Sequence, residues 1–172
     1  MEGENIFADF TRVYDAYFTL MLKIVYRITG RQDVAEEIVQ EAFIKYYERR
    51  DVLPKDEGVK FWLIRVVKNL ALNHEKRKTR EKRAYQRFFY EPKPGGEAEG
   101  EAKLLKEESQ VQVQRALEKL PYNMRVVLVL KEYGGFNYQE IAKMLGITEG
   151  NVKVRVFRAR NQLAALLEKE GS

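Results

Sequence analysis

The segment from Asn137 to Arg160, NYQEIAKMLGITEGNVKVRVFRAR, is the most informative stretch of the chain. Asn137 is a good helix N-cap, so a short helix is expected from Tyr138 to Leu145. Gly146 then supplies a turn residue that adopts positive φ without steric cost. Thr148 caps a second helix that runs to about Leu167. Ala142 is small where two helices must cross closely, and Ile141, Leu145, Ile147, Val152 and Val156 supply a shared apolar face. These spacings are those of a helix-turn-helix. The remaining face of the second helix carries Glu149, Asn151, Lys153, Arg155 and Arg158. An amide and several cations near the start of a helix suit base edges and phosphates in a major groove. A solvated helical hairpin accounts for any one of these features but not for their coincidence.

Working outward, helical periodicity fills the rest of the chain. Upstream of the motif, Val111, Val113, Ala116, Leu117 and Leu120 mark one helix. Pro121 opens the next, which Gly134-Gly135 ends. Residues 91–101, EPKPGGEAEGE, contain two prolines, three glycines, four glutamates and no large apolar side chain. Such a segment buries too little surface to order itself and reads as a flexible linker. N-terminal to it, Ile6, Phe10, Val13, Tyr14, Tyr17, Leu20, Met21, Ile24, Val25 and Ile28 follow the three-and-four spacing of one apolar helix face, and Gly30 stops that helix. Asp33 is expected to cap a second helix through Ile38, Phe43 and Tyr46 to about Arg50. A polar loop, residues 51–58, precedes a long helix from near Val59 whose later turns become basic. No alternating strand pattern of useful length is present. The expected architecture is therefore all-α: two small helical domains, residues 1–90 and 108–172, joined by a flexible linker over residues 91–107, with the helix-turn-helix in the second.

Bulk properties narrow the function. The 172 residues include 45% hydrophobic and 33% charged side chains, enough for a core beneath a wet surface. No apolar run approaches the roughly 18 residues of a membrane span, and the start, MEGENIFADF, has no signal-peptide pattern. The absence of cysteine removes disulfides, thiolate zinc sites and cysteine nucleophiles together, and fits the cytosol. With one histidine, two serines and no glycine-rich phosphate loop after a strand, neither a catalytic residue set nor a metal or cofactor site can be assembled. The net charge of +5 is concentrated: residues 65–87 hold nine bases against two acids, and residues 151–160 hold four bases and no acid. Both segments point to a polyanionic partner.

On these motifs the chain resembles the extracytoplasmic-function (ECF) subfamily of bacterial RNA polymerase σ factors, within the sigma-70 family, over nearly its whole length. DVAEEIVQEAFIKYYERR (33–50) resembles the helix that binds core polymerase in that family. KFWLIRVVKNLALNHEKRKTREKR (60–83) resembles the promoter-melting helix, and residues 116–163 resemble the domain that reads the upstream promoter element. Asn73 stands where an aspartate is frequent, and Asn151 where a threonine is common. The resemblance implies three sets of site residues. Asp33, Glu37, Gln40, Glu41 and Phe43 would dock on the β′ clamp helices of core RNA polymerase, with the β subunit as a further partner. Phe61, Trp62, Arg65, Asn69, Arg77, Lys78 and Arg80 would hold the downstream (−10) element as its strands part, with loop 51–58 at the position that captures a flipped base. Glu149, Asn151, Lys153, Arg155, Phe157 and Arg158 would read the upstream (−35) duplex of promoter DNA. Phe43 and Trp62 have competing roles as core residues, and Phe157 can pack on the DNA backbone or fill the core. The resemblance also implies control by an anti-σ factor, a cytoplasmic location and no membrane insertion. Two rivals are a stand-alone helix-turn-helix regulator, which leaves the N-terminal half without a task, and a σ-like decoy, in which Lys153, Arg155 and Arg158 would have no purpose.

Overall fold

A computed structural model describes residues 2–88 and 105–171, and all regular structure in them is helical. The elements are α1 (Glu2–Thr29), α2 (Gln32–Arg49), α3 (Glu57–Phe88), α4 (Leu105–Lys119), α5 (Tyr122–Glu132), α6 (Tyr138–Leu145) and α7 (Glu149–Glu170). The first three pack into one bundle and the last four into another. Of the expected linker, residues 91–104 lie outside the described residues. Residues 105–107 are already the first turn of α4 and not linker.

Local chemistry accounts for most boundaries. Gly30 ends α1 at φ 73°, where a Cβ would come within 1.8 Å of the Glu118 carboxylate. Pro121 sits immediately before α5, where its missing N–H costs nothing. One expected cap is corrected. Asp33 does not cap α2, which begins at Gln32 with Arg31 in the cap position and no side-chain cap bond. Asp33 instead lies in the first turn and accepts from the Arg31 guanidinium at 2.7 Å.

The apolar faces meet in a core that runs through both bundles. Met21, Ile24, Val25 and Ile28 of α1 and Leu63, Ile64 and Val67 of α3 are fully enclosed, as are Val127, Val129 and Leu130 of α5, and all belong to one continuous cluster with Ile141, Met144, Val152 and Val156. Leu145 and Ile147, expected on the shared face of the helix-turn-helix, are only partly buried, and Met144 takes the central place. The two halves also exchange polar contacts. The Tyr122 hydroxyl donates to the Lys68 carbonyl at 2.6 Å, and the Gln114 amide donates to the Arg27 carbonyl at 3.2 Å.

The turn motif itself is locally over-determined. The Glu140 N–H donates to Asn137 Oδ1 and the Asn137 N–H donates to Glu140 Oε2, both at 2.9 Å, forming a reciprocal capping box. Replacing Asn137 by Ala leaves the Glu140 N–H without its acceptor and is expected to cost about 1 kcal/mol of stability. Urea unfolding of Asn137→Ala should show a lower midpoint with an unchanged slope, and an unaltered midpoint would count against the cap.

Candidate nucleic-acid and polymerase interfaces

In the helix-turn-helix, Gly146 takes the left-handed conformation at φ 66°, and the Ile147 N–H returns to the Ala142 carbonyl at 3.1 Å. The chain then re-enters a helix at Thr148, whose hydroxyl accepts from the Asn151 N–H at 3.1 Å. Val152, Val156 and Ala159 point inward. Asn151, Lys153, Phe157 and Arg158 are exposed, while Glu149 and Arg155 are half-buried. Phe157, at 66% exposure, does not fill the core. Lys153 lies 3.4 Å from the Glu149 carboxylate, which steadies its ammonium near the head of α7. Arg160 is committed elsewhere, since its Nε donates to Glu132 of α5 at 3.0 Å. Sequence reading missed Tyr138, whose ring is faced by Lys131 at 4.8 Å and by Lys153 at 5.9 Å. This packing joins α5, α6 and α7 through cation–π attraction.

On α3, Asn69, Arg77, Lys78 and Arg80 are exposed along the basic stretch. Phe61 and Trp62 are both half-buried. Trp62 stands 6.5 Å from the Tyr46 ring, and Phe61 meets Phe136 of the other half edge-on at 6.5 Å. Arg65 is solvent-facing but engaged: its Nη2 donates to the Lys143 carbonyl at 2.9 Å and its Nε to the Met144 carbonyl at 3.2 Å. In the loop before α3, Asp56 takes φ 59°. A cavity of about 220 Å³ lies between that loop, the start of α1 and the end of α2, with Asp9, Arg12, Tyr46, Arg50 and Lys55 among its walls.

On α2, Asp33, Glu37, Gln40 and Glu41 are exposed on the outer face. The Arg31 guanidinium, by its hydrogen bond, holds the Asp33 carboxyl below the usual carboxylate range. Phe43 is a correction. It is 2% exposed, with its ring 5.0 Å from Tyr14 and 6.4 Å from Phe10, so it supports the helix from beneath and is not presented on the outer face. Its neighbour Ile44 is 59% exposed on the side of the helix that carries the acids. Phe43 lies on the apolar face it shares with Ile38 and Tyr46, so of its two expected roles the core one is realised.

The family model for sigma-70 region 2 matches residues 13–81, spanning most of α1 to α3, and that for sigma-70 region 4 matches residues 110–163, within α4 to α7. The chain is 33% identical over 147 residues to the ECF RNA polymerase sigma-E factor of Escherichia coli K12, covering 81% of this chain and 76% of that protein. It belongs to the ECF σ factors. The ECF σ factor SigE of Mycolicibacterium smegmatis is 32% identical over 151 residues, and this σ factor spans 58% of that relative's length and 87% of its own. Among solved structures, the σ factor RpoE of Bartonella quintana, co-crystallised with the anti-sigma factor NepR, superposes with a TM-score of 0.71 at 25% identity, covering 93% of this chain and 97% of that one. The two matched regions coincide with the two bundles.

Between α2 and α3 of the σ factor, half-buried His74 lies in a groove with Glu37, Glu41, Asn73, Arg77 and Arg80. Burial, then the charges of Arg77 and Lys78, pulls its imidazolium below the ordinary histidine value, against a smaller opposing effect of Glu75. A histidine depressed in the folded state takes its proton first in the unfolded chain. Stability therefore falls as pH drops through about 6.5, and the loss levels off below the folded value. Urea midpoints at pH 8 and pH 5.5 should differ more for the parent than for His74→Gln; equal differences would exclude His74 as a source of acid sensitivity.

Proposed function

We propose that this σ factor carries core RNA polymerase to promoters and opens them through three surfaces. The exposed acids and amide of α2, Asp33, Glu37, Gln40 and Glu41, dock on an Arg-rich face of the β′ clamp helices, with Ile44 adding apolar area. Along α3, Arg77, Lys78 and Arg80 track the phosphates of the separating −10 strands, while Phe61, Trp62, Arg65 and Asn69 hold unstacked bases. The cavity behind loop 51–58 accepts a base turned out of the stack. In the −35 duplex, α7 lies in the major groove, with Asn151 at a base edge and Lys153, Arg155 and Arg158 at phosphates or guanines. The observation that carries this reading is the capped head of α7, where Asn151, Lys153, Phe157 and Arg158 are exposed together and Glu149 is the sole acid up to Arg160.

The chemistry of RNA synthesis then belongs to polymerase, and this chain supplies address and strand opening. Among the described residues, no group of three or more His, Asp or Glu side chains is arranged to hold a metal, and no helix is long and apolar enough to cross a membrane. The protein acts in the cytoplasm, where its polymerase is. An anti-σ factor restrains it, as the likeness to an anti-σ-bound Bartonella protein suggests.

In vitro transcription with purified core polymerase on random promoter fragments should yield two enriched elements at constant spacing, dependent on this chain. Binding of the −35 duplex without any initiation would instead identify a stand-alone regulator. Within the −35 element, Asn151→Ala should relax the preference at a single position, by roughly 1–3 kcal/mol of discrimination. Arg158→Ala should weaken all sequences alike and lower the salt slope of binding by about one. Both effects are read by duplex titration at several salt concentrations, and the reverse pattern would exchange the two roles.

A further inference from the structure

Val154 of α7 is 46% exposed and belongs to neither apolar core. At 3.6 residues per turn, Val152 and Val156 each lie about 200° around the helix from it, in opposite senses, so their buried row points almost directly away from Val154. Val154 therefore stands at the middle of the outward face of α7. Its neighbours on one side of that face are polar: Asn151, three residues before it, and Arg158, four residues after it, are both exposed. Phe157, three residues on and 66% exposed, borders it on the other side. A scattered surface valine is ordinary. This one holds the centre of a face with an exposed aromatic beside it, where a lysine, glutamate or glutamine would form helix more readily than a branched aliphatic.

We propose that Val154 is a specificity-determining residue: its methyl groups pack on the C5 methyl of one thymine in the −35 element and fix that base pair as T·A. This inference rests on the placement of α7 in the major groove of the −35 duplex, and it adds an apolar contact to the base-edge hydrogen bonding assigned to Asn151. Thymine alone among the four bases presents a methyl group in that groove. The methyl belongs to one side of the pair, so an apolar side chain separates T·A from A·T as well as from both G·C orientations. The isopropyl group also works by exclusion. It has neither donor nor acceptor, so the N4 amino group of a cytosine or the O6 of a guanine facing it would lose water and gain no hydrogen bond. Phe157, at the border of the contact, keeps water from the paired methyl groups. No charge takes part, so this discrimination is insensitive to salt, unlike contacts to phosphate.

The test uses holoenzyme assembled from core polymerase and the full chain, on a promoter selected in the transcription experiment. Each thymine of its −35 element, on either strand, is replaced in turn by deoxyuridine, which removes the C5 methyl and leaves every hydrogen-bonding group in place. Competition against the unaltered promoter should reveal one position at which uracil lowers affinity by about fourfold, the worth of one buried methyl-sized group. The factor should be the same at several salt concentrations. With Val154→Ala the loss at that position should disappear, while uracil elsewhere acts alike on both proteins. Alanine suits an exposed helical position, so this variant keeps its fold. Cytosine at the same position should weaken binding by the parent, and 5-methylcytosine should recover about the factor that uracil loses. A −35 element with no uracil-sensitive thymine, or a sensitivity equal in the parent and in Val154→Ala, would overturn the proposal. If Asn151→Ala still relaxes one position in that case, α7 lies in the groove and the methyl contact alone is wrong. If Asn151→Ala is also without effect, the placement of α7 fails and the proposal fails with it.

Discussion

The guanidinium of Arg125 is 3% exposed and sits where four helices converge. It donates to the carbonyls of Leu117, Glu118 and Leu120 at the end of α4, at 2.9, 2.8 and 3.0 Å, and to Ile28 at the end of α1, at 2.9 Å. Glu75 of α3 balances its charge. The last carbonyls of a helix have no partner within it, and burying them unpaired costs free energy at every group. Two helix ends are therefore tolerated side by side in the interior because one planar group with five donors serves both. A lysine has the charge but not the fork, and does not replace it. This arrangement ties α4 to α1 and, through Glu75, to α3.

Arg65 repeats the solution at the surface, covering the end of α6 from α3. The two arginines differ in what water can do for them. Arg125 is sealed, and moving it away exposes carbonyls and a carboxylate together. Arg65 faces solvent, which can hydrate both the guanidinium and the carbonyls when they separate, so its bonds are worth less and are more easily exchanged. Arg125 thus binds the two halves together from within, while Arg65 joins them at the surface.

The three proposed surfaces share a plan. On α2 and α7 a buried aromatic or aliphatic row, Phe43 and Tyr46 or Val152 and Val156, fixes the helix, and the opposite face presents mostly polar groups with an exposed Ile44 or Phe157 among them. Recognition residues on these two helices are thus presented by rigid elements. On α3 the division is less clean, because Phe61 and Trp62 are half-buried and belong partly to the packing.

The amino-acid sequence by itself determined the helical class, the order of the elements, the helix-turn-helix and its caps. Asn137 with Glu140, Gly146, Thr148, Pro121 and Gly30 act on groups within a few residues, so their consequences are readable locally. The basic stretch of α3 and the acidic face of α2 were legible for the same reason, since a whole run of charges is too costly to bury whatever the partner. The tertiary structure alone decided that Arg65 is engaged, that Met144 lies in the core and that Arg125 is enclosed. Those outcomes depend on atoms far away in the chain, 97 residues for Arg125 with Ile28 and 78 for Arg65 with Lys143. Periodicity records only that a residue lies on an apolar or polar face of its own helix. Which neighbour that face meets is settled when the helices pack, because burial and the pairing of helix-end carbonyls are properties of the assembled interior.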